Sequence, residues 1–312
     1  MTAVRAAGGP AEAARDRAGY GIALMVAGVG VFIVVDALIK WLGDRVPTFE
    51  VIFFRSLFAF IPLSFLFWRL GGFRKALTMR NKSGHVLRSL FGLIALFLFF
   101  HCYVVMPLAD VIAISFAAPL FVTALSAPLL GEKVGPRRWG AVLVGLAGVL
   151  LMVRPGAGVF DVTALLALLA TFFYSCTMLT VRWLSRTDNS VSIVFWFSLS
   201  MTLVSGATLP FLWVTPSWPD LLALIALGLL GGCAQVLVTE AFRHTELSVV
   251  APFEYTSMFW AAGLGWLVWG ELPDGLMWLG CAIVVASGLY ILVRETNLGL
   301  RRGAARRLQP RR

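Results

Sequence analysis

Charge is what this sequence has least of. Only 13% of its 312 residues are Asp, Glu, Lys or Arg, roughly half the share found in an average soluble domain. The four cysteines, Cys102, Cys176, Cys233 and Cys281, each fall inside an apolar stretch with no paired spacing. That excludes a disulfide framework or a thiolate metal site and leaves them as small core residues. No phosphate loop of the form GxxxxGKS/T is present, and no GxGxxG follows a strand pattern. HExxH, DxxxD and GxSxG are missing too, so an intramembrane enzyme acting on a lipid or isoprenoid has no cluster of acids or nucleophile–base set to work with. Nothing calls for a cofactor. No cleavage pattern follows the first apolar run, so residues 1–18 are expected to stay as an Ala/Arg-rich tail.

What is there is apolar. Such residues make up 59% of the chain and the mean hydropathy is +0.87. Ten runs are long enough to span a bilayer as helices, at about 20 residues each. They cover roughly 19–42, 48–68, 84–105, 107–130, 136–153, 161–184, 190–214, 219–242, 246–269 and 275–294. The formal charge of +10 sits mostly between these runs, where it orients helices and meets anionic lipid; a nucleic-acid partner is not expected. With the N-terminus cytoplasmic, 22 of the 26 Lys and Arg fall on the inner side. Both termini are therefore expected inside a bacterial inner membrane, with residues 295–312 a basic, disordered tail.

One stretch, Ser248 to Glu271, has a twin. Shifted back by 139 residues it falls on Ala109 to Glu132. The same shift brings Gly131-Glu132 onto Gly270-Glu271, Leu108 onto Leu247, Gly92 onto Gly231 and Trp139 onto Trp278. A fixed offset over several features indicates an internal duplication. The repeats are expected over 19–154 and 155–294, meeting at a Pro/Gly linker over 154–161. Five spans per repeat, an odd number, force opposite orientations. The predicted fold is an all-α polytopic membrane protein of ten transmembrane helices, built as two inverted five-helix repeats.

Ionisable residues inside spans are expensive and mark function or pairing. Glu254 shares a helical face with Met258, Ala261 and Gly265, a small-residue packing face, so it is expected to point into protein. It reads equally as a substrate or proton site and as a structural carboxylate. Asp36 and Lys40, four apart in span 1, either neutralise each other or form a charged wall. Arg55, about 140° from Glu50 on its helix, needs another acid or a carbonyl and is expected to form a structural bridge between helices. His101 reads as a proton carrier or a neutral hydrogen-bonding residue. The repeat shift aligns it with Glu240, which either faces the interior or pairs with Arg243 at the surface. The within-span acids Asp36, Glu240 and Glu254 nearly balance the bases Lys40 and Arg55.

The stretches Thr48-Phe-Glu-Val-Ile-Phe-Phe-Arg55, His85-Val-Leu-Arg88, Ala117-Ala-Pro-Leu-Phe121, Leu130-Gly-Glu132 and Ala251-Pro-Phe-Glu-Tyr255 carry a resemblance. Over about residues 19–294 the chain resembles the drug/metabolite transporter superfamily, in its ten-helix branch with two EamA-type repeats. It looks most like bacterial S-adenosylmethionine and riboflavin permeases. The resemblance implies a permease, monomer or homodimer, that moves a small-molecule substrate by alternating access. It also implies a cavity walled by spans 1, 3, 4, 6, 8 and 9, with 5 and 10 to one side. On that basis Asp36 and Lys40 line an outer mouth, and Phe116, Tyr174, Tyr255 and Trp260 offer stacking surfaces. Met258 stands where the first repeat has Pro119, with the proline earlier, at Pro252. The two central helices are therefore expected to bend at different depths.

Overall fold

The computed structural model describes residues 10–69, 74, 77–130, 135–153, 162–245 and 247–307, with side chains from Gly19 to Arg294 except those of Leu130, Leu247 and Ser248. The 154–161 linker and Glu132 lie outside these residues. Helices dominate and no strand occurs among the described residues. Span 1 covers Pro10–Leu42, span 2 Thr48–Arg69, span 3 Lys82–Val105, span 5 Pro136–Val153, span 6 Val162–Leu184, span 7 Ser190–Leu212, span 8 Trp218–His244 and span 10 Gly275–Arg307. Span 4 is two helices, Leu108–Ser115 and Ala118–Leu130. Span 9 is Leu247–Val250, a 3-10 segment over Ala251–Thr256, and Ser257–Trp269.

Side-chain caps set several of these edges. Asn81 and Asn189 accept from the backbone N–H of Gly84 and Ser192, at 3.0 and 2.8 Å, as helix-starting Asn residues do. Spans 1 and 10 run past the apolar stretches, to Pro10 and Arg307. Helix along 295–307 replaces the disorder expected there: a charged segment can continue a helix begun by an apolar one, because the costly nucleus already exists.

The two broken spans resume their helices at equivalent residues. Each resumes its helix at Ala118 and Ser257, positions related by the 139-residue shift. The break begins four residues earlier in span 9, at Ala251 (equivalent to Ile112), than in span 4, after Ser115, in line with the earlier proline of the second repeat. Pro119 has no N–H for the Ser115 carbonyl, and Pro252 has none for its own turn. Hydroxyls take over some of the freed carbonyls: Ser115 donates to Ile112 at 2.7 Å, Thr256 to Phe253 at 2.6 Å and Ser257 to Glu254 at 2.7 Å. Irregular backbone at membrane depth is tolerated where such partners exist.

Packing follows a two-fold rule. Span 1 lies along span 8 and span 6 along span 3, and exchanging the halves interchanges these contacts. Spans 2 and 7 pack together, as do 5 and 10. In the latter pair a Cβ on Gly148 would lie 2.9 Å from the Gly280 carbonyl, and one on Gly280 2.6 Å from that of Gly148. Only glycine allows the backbones this close. The symmetry fails in one place. Span 8 presses on span 2, where Cβ atoms on Gly228 and Gly232 would lie 2.9 Å from the carbonyls of Phe54 and Ala59. The equivalent contact, span 3 with span 7, is far thinner. A cavity lies beside it, among spans 2, 3, 7 and 8.

Candidate transport cavity

The cavity is about 140 Å³ and is walled by Arg55, Ser56 and Leu63 of span 2, Arg88 of span 3, Phe197 and Ser198 of span 7, and Gln235 of span 8, with Phe32 of span 1 above. Arg88, Phe197, Ser198 and Gln235 lie towards the ends of their spans near Arg69 and Lys82, whereas Arg55 and Ser56 lie on the Thr48 side of the middle of span 2, so the cavity reaches mid-membrane. Spans 2 and 7 thus form wall where the resemblance implied only spans 1, 3, 4, 6, 8 and 9. Arg55 lies against Phe100, its guanidinium carbon 5.7 Å from the ring centre. It is also in electrostatic contact with Asp36, which accepts a hydrogen bond from the Tyr103 hydroxyl. Asp36, Arg55 and Tyr103 therefore tie spans 1, 2 and 3 together beside the cavity. Asp36 does not pair with Lys40.

Arg88 falls within 84–105 and joins Lys40 and Arg55 as a base inside a span. Its guanidinium stacks on Phe197 at 4.6 Å and faces Tyr174. The sequence signal was available: an arginine after the apolar periodicity has begun cannot be a loop residue.

Tyr174 is 40% exposed although it sits among spans 3, 4 and 6. It makes an edge contact with Phe99 at 6.2 Å and is electrostatically coupled to Arg88 on one side and Glu254 on the other. Glu254 is exposed rather than packed, and its carboxylate has no hydrogen-bond partner or cation among the described residues. The shared face predicted for Glu254 and Ala261 does not form. Met258, Ala261 and Gly265 are buried, but Glu254 lies in the 3-10 segment, where each residue turns about 120° instead of 100°. That rotates the acid off the packing face.

Other candidates have different places. Lys40 donates to Glu271 at 2.7 Å and to the Met106 carbonyl at 2.7 Å, closing the bundle at the end opposite Arg69. The sharp turn that makes this possible is at Gly270, with φ of 70°. There the N–H groups of Gly270 and Glu271 bond back to Trp266 and Gly265, at 3.0 and 3.1 Å, an arrangement that glycine adopts without strain. Glu240 pairs with Arg243 at 2.7 Å and Arg69 at 3.6 Å, at the end of spans 2 and 8, outside the cavity wall. His101 is exposed. Phe116 and Tyr255 meet edge to face, 5.0 Å apart, and the Tyr255 hydroxyl abuts Gly288 of span 10. Trp260 lies against Gly30 of span 1. These three aromatics join spans and do not line the cavity described above.

A family profile for the EamA-like transporter family matches residues 19–154 and 162–293. The chain belongs to the EamA-like transporter family. It is 32% identical over 281 residues to the pseudopaline exporter CntI of Pseudomonas aeruginosa, covering 88% of this chain and 93% of that one. It is 33% identical over 229 residues to a riboflavin transporter of Vibrio cholerae, covering 72% and 76%. With an S-adenosylmethionine uptake transporter of Rickettsia prowazekii it shares 27% over 260 residues, covering 83% and 88%. A crystal structure 18% identical to this EamA-like chain superposes with a TM-score of 0.59 over 91% of this chain and 99% of that chain, a likeness of fold. Relatives named as transporters and exporters speak against the intramembrane-enzyme reading.

Proposed function

We propose that the protein is a secondary transporter of a small organic metabolite in the bacterial inner membrane, with both termini cytoplasmic, working by alternating access. The observation that carries this reading is the uneven packing of two related halves. The end with Lys40, Met106 and Glu271 is shut by a charged lock, and the cavity lies among spans 2, 3, 7 and 8, where span 3 packs on span 7 more thinly than span 8 on span 2. Because the halves are interchangeable in contact pattern, the exchanged arrangement, with spans 3 and 7 together and spans 2 and 8 apart, is the natural second state. Positive charge at the Arg69 end makes that end cytoplasmic, so the present state faces inward.

Movement is by exchange or by proton coupling. Glu254 is the proton candidate, as the acid that reaches Tyr174 without a cation of its own among the described residues. The relatives' names supply the first compounds to try. Purified protein in proteoliposomes preloaded with S-adenosylmethionine or riboflavin is expected to accumulate the labelled compound, unchanged, by counterflow. An imposed inside-alkaline gradient distinguishes coupling from plain exchange. No counterflow of either compound or of a wider metabolite panel, or recovery of a converted product, would sink the transporter reading.

A further inference from the structure

Two guanidiniums, Arg55 and Arg88, look into one pocket that no carboxylate lines. Each has its Nε shut away from solvent without a hydrogen-bond partner. Asp36 offsets Arg55 from behind. Arg88 has no acid at all among the described residues; its neighbours are the neutral Tyr174 and the Phe197 ring. An arginine cannot shed its charge, and an unbalanced one at membrane depth is costly. Snorkelling to the headgroups, two turns from the start of span 3, would leave Nε in water, but it is enclosed. Stacking on Phe197 uses the face of the guanidinium and leaves its in-plane fork of donors free. The fork is what binds oxygen anions in bidentate fashion. Room for it comes from span 8: a Cβ on Gly231 would already stand 3.8 Å from the Arg55 Nε, and Ser56, Ser198 and Gln235 add neutral donors around the rim.

We propose that Arg88 and Arg55 together bind an oxyanion, carboxylate or phosphate, carried by the transported solute. The proposal rests on the transporter reading for what the pocket serves, and gives that reading a substrate class: solutes with at least one oxyanionic group.

The test uses matched pairs that differ in the anion alone: S-adenosylmethionine against its decarboxylated form, and riboflavin 5′-phosphate against riboflavin, with succinate and inorganic phosphate as minimal probes. Binding to the purified full-length protein is followed by thermal shift and titration in phosphatidylcholine nanodiscs. The anionic member of at least one pair, or a minimal probe, is expected to bind about tenfold or more tightly, the scale of one or two charge-assisted hydrogen bonds. Arg88→Gln should abolish the preference, and Arg88→Lys should keep part of it. Because no acid loses a partner, Arg88→Gln should leave the melting temperature of the ligand-free protein unchanged or raised. Equal binding within pairs, no binding by any probe, or a preference that survives Arg88→Gln would overturn the proposal. So would loss of the preference in phosphatidylglycerol nanodiscs, which would give the arginines to lipid headgroups. Counterflow of a neutral solute without anion preference would defeat this inference and leave transport standing. Anion preference without counterflow would do the reverse.

Discussion

The Lys40 ammonium is held between the Glu271 carboxylate and the Met106 carbonyl, 2.7 Å from each, and joins span 1 to the turns that follow spans 3 and 9. With 6% and 30% of the two side chains exposed, the pair is sheltered enough to matter. Removing one partner of a buried pair is strongly unfavourable for the state that contains it. Glu271→Gln is therefore expected to shift the balance towards the outward-open state by about 2 kcal/mol, roughly 30-fold in the population ratio. A cysteine placed at Ser198, in the cavity wall, should then react more slowly with a thiol reagent added from the cytoplasmic side. The charge-swapped Lys40→Glu/Glu271→Lys protein should restore the rate. Unchanged labelling in the single variant would show that the pair is structural in every state.

Glu254→Gln separates a working acid from a structural one. The carboxylate has no cation partner among the described residues, so the variant should melt within a degree or two of the parent while counterflow or gradient-driven uptake falls about tenfold or more. A large drop in melting temperature would mean that the acid holds the fold. Full uptake would remove it from the mechanism.

Gly148 and Gly280 bring spans 5 and 10 into backbone contact. Gly148→Leu forces the helices apart and should destabilise the protein by about 3 kcal/mol, read as a lower melting temperature and weaker membrane expression. Gly140→Leu, in the same span but facing open space, should be tolerated. Equal effects would argue against this seam.

Asp188, between spans 6 and 7 and outside the membrane, links that connection to the start of span 3. Burial pushes its carboxyl up, but bonds from the Arg80 N–H, the Thr187 hydroxyl, His85 and the Asn81 N–H outweigh it and hold the pKa below the usual range. The folded state thus favours the ionised form. Its stabilisation is complete above the ordinary aspartate pKa, about 3.9, and is lost as pH falls through the lower folded value. Asp188→Asn should cost about 2 kcal/mol near neutrality, and the gap between parent and variant should shrink as pH drops below about 4.

Reporter fusions after residues 72 and 135 should read cytoplasmic, and one near 156 external. A cytoplasmic signal at 156 would break both the orientation and the inversion of the halves.

Much of this architecture is legible without coordinates, since the spans are written in local composition and the duplication in a fixed offset. A bilayer admits only segments that satisfy their own backbone, so a run of about 20 apolar residues is a helix almost by necessity. The family resemblance was legible for the same reason: its motifs sit at span ends and at the two breaks, where only a few residue types serve.

Partnership was not legible, because it depends on which residues of distant spans meet. Lys40 has Asp36 one turn away, yet it bonds to Glu271, 231 positions on, because the left-handed turn at Gly270 brings that acid back over the bundle. The continuous-helix assumption put Glu254 on a packing face, and a six-residue 3-10 segment turned it towards Tyr174. The ring beneath the Arg88 guanidinium, Phe197, comes from span 7, which nothing near Arg88 in the chain announces. Hydrophobic length and a fixed offset, properties of the chain alone, set ten apolar runs in two related halves. Tertiary structure decided which charges are paired, which are left facing a cavity, and which contact between the halves is the open one, because a charge in a membrane interior takes its meaning from whatever the fold sets beside it.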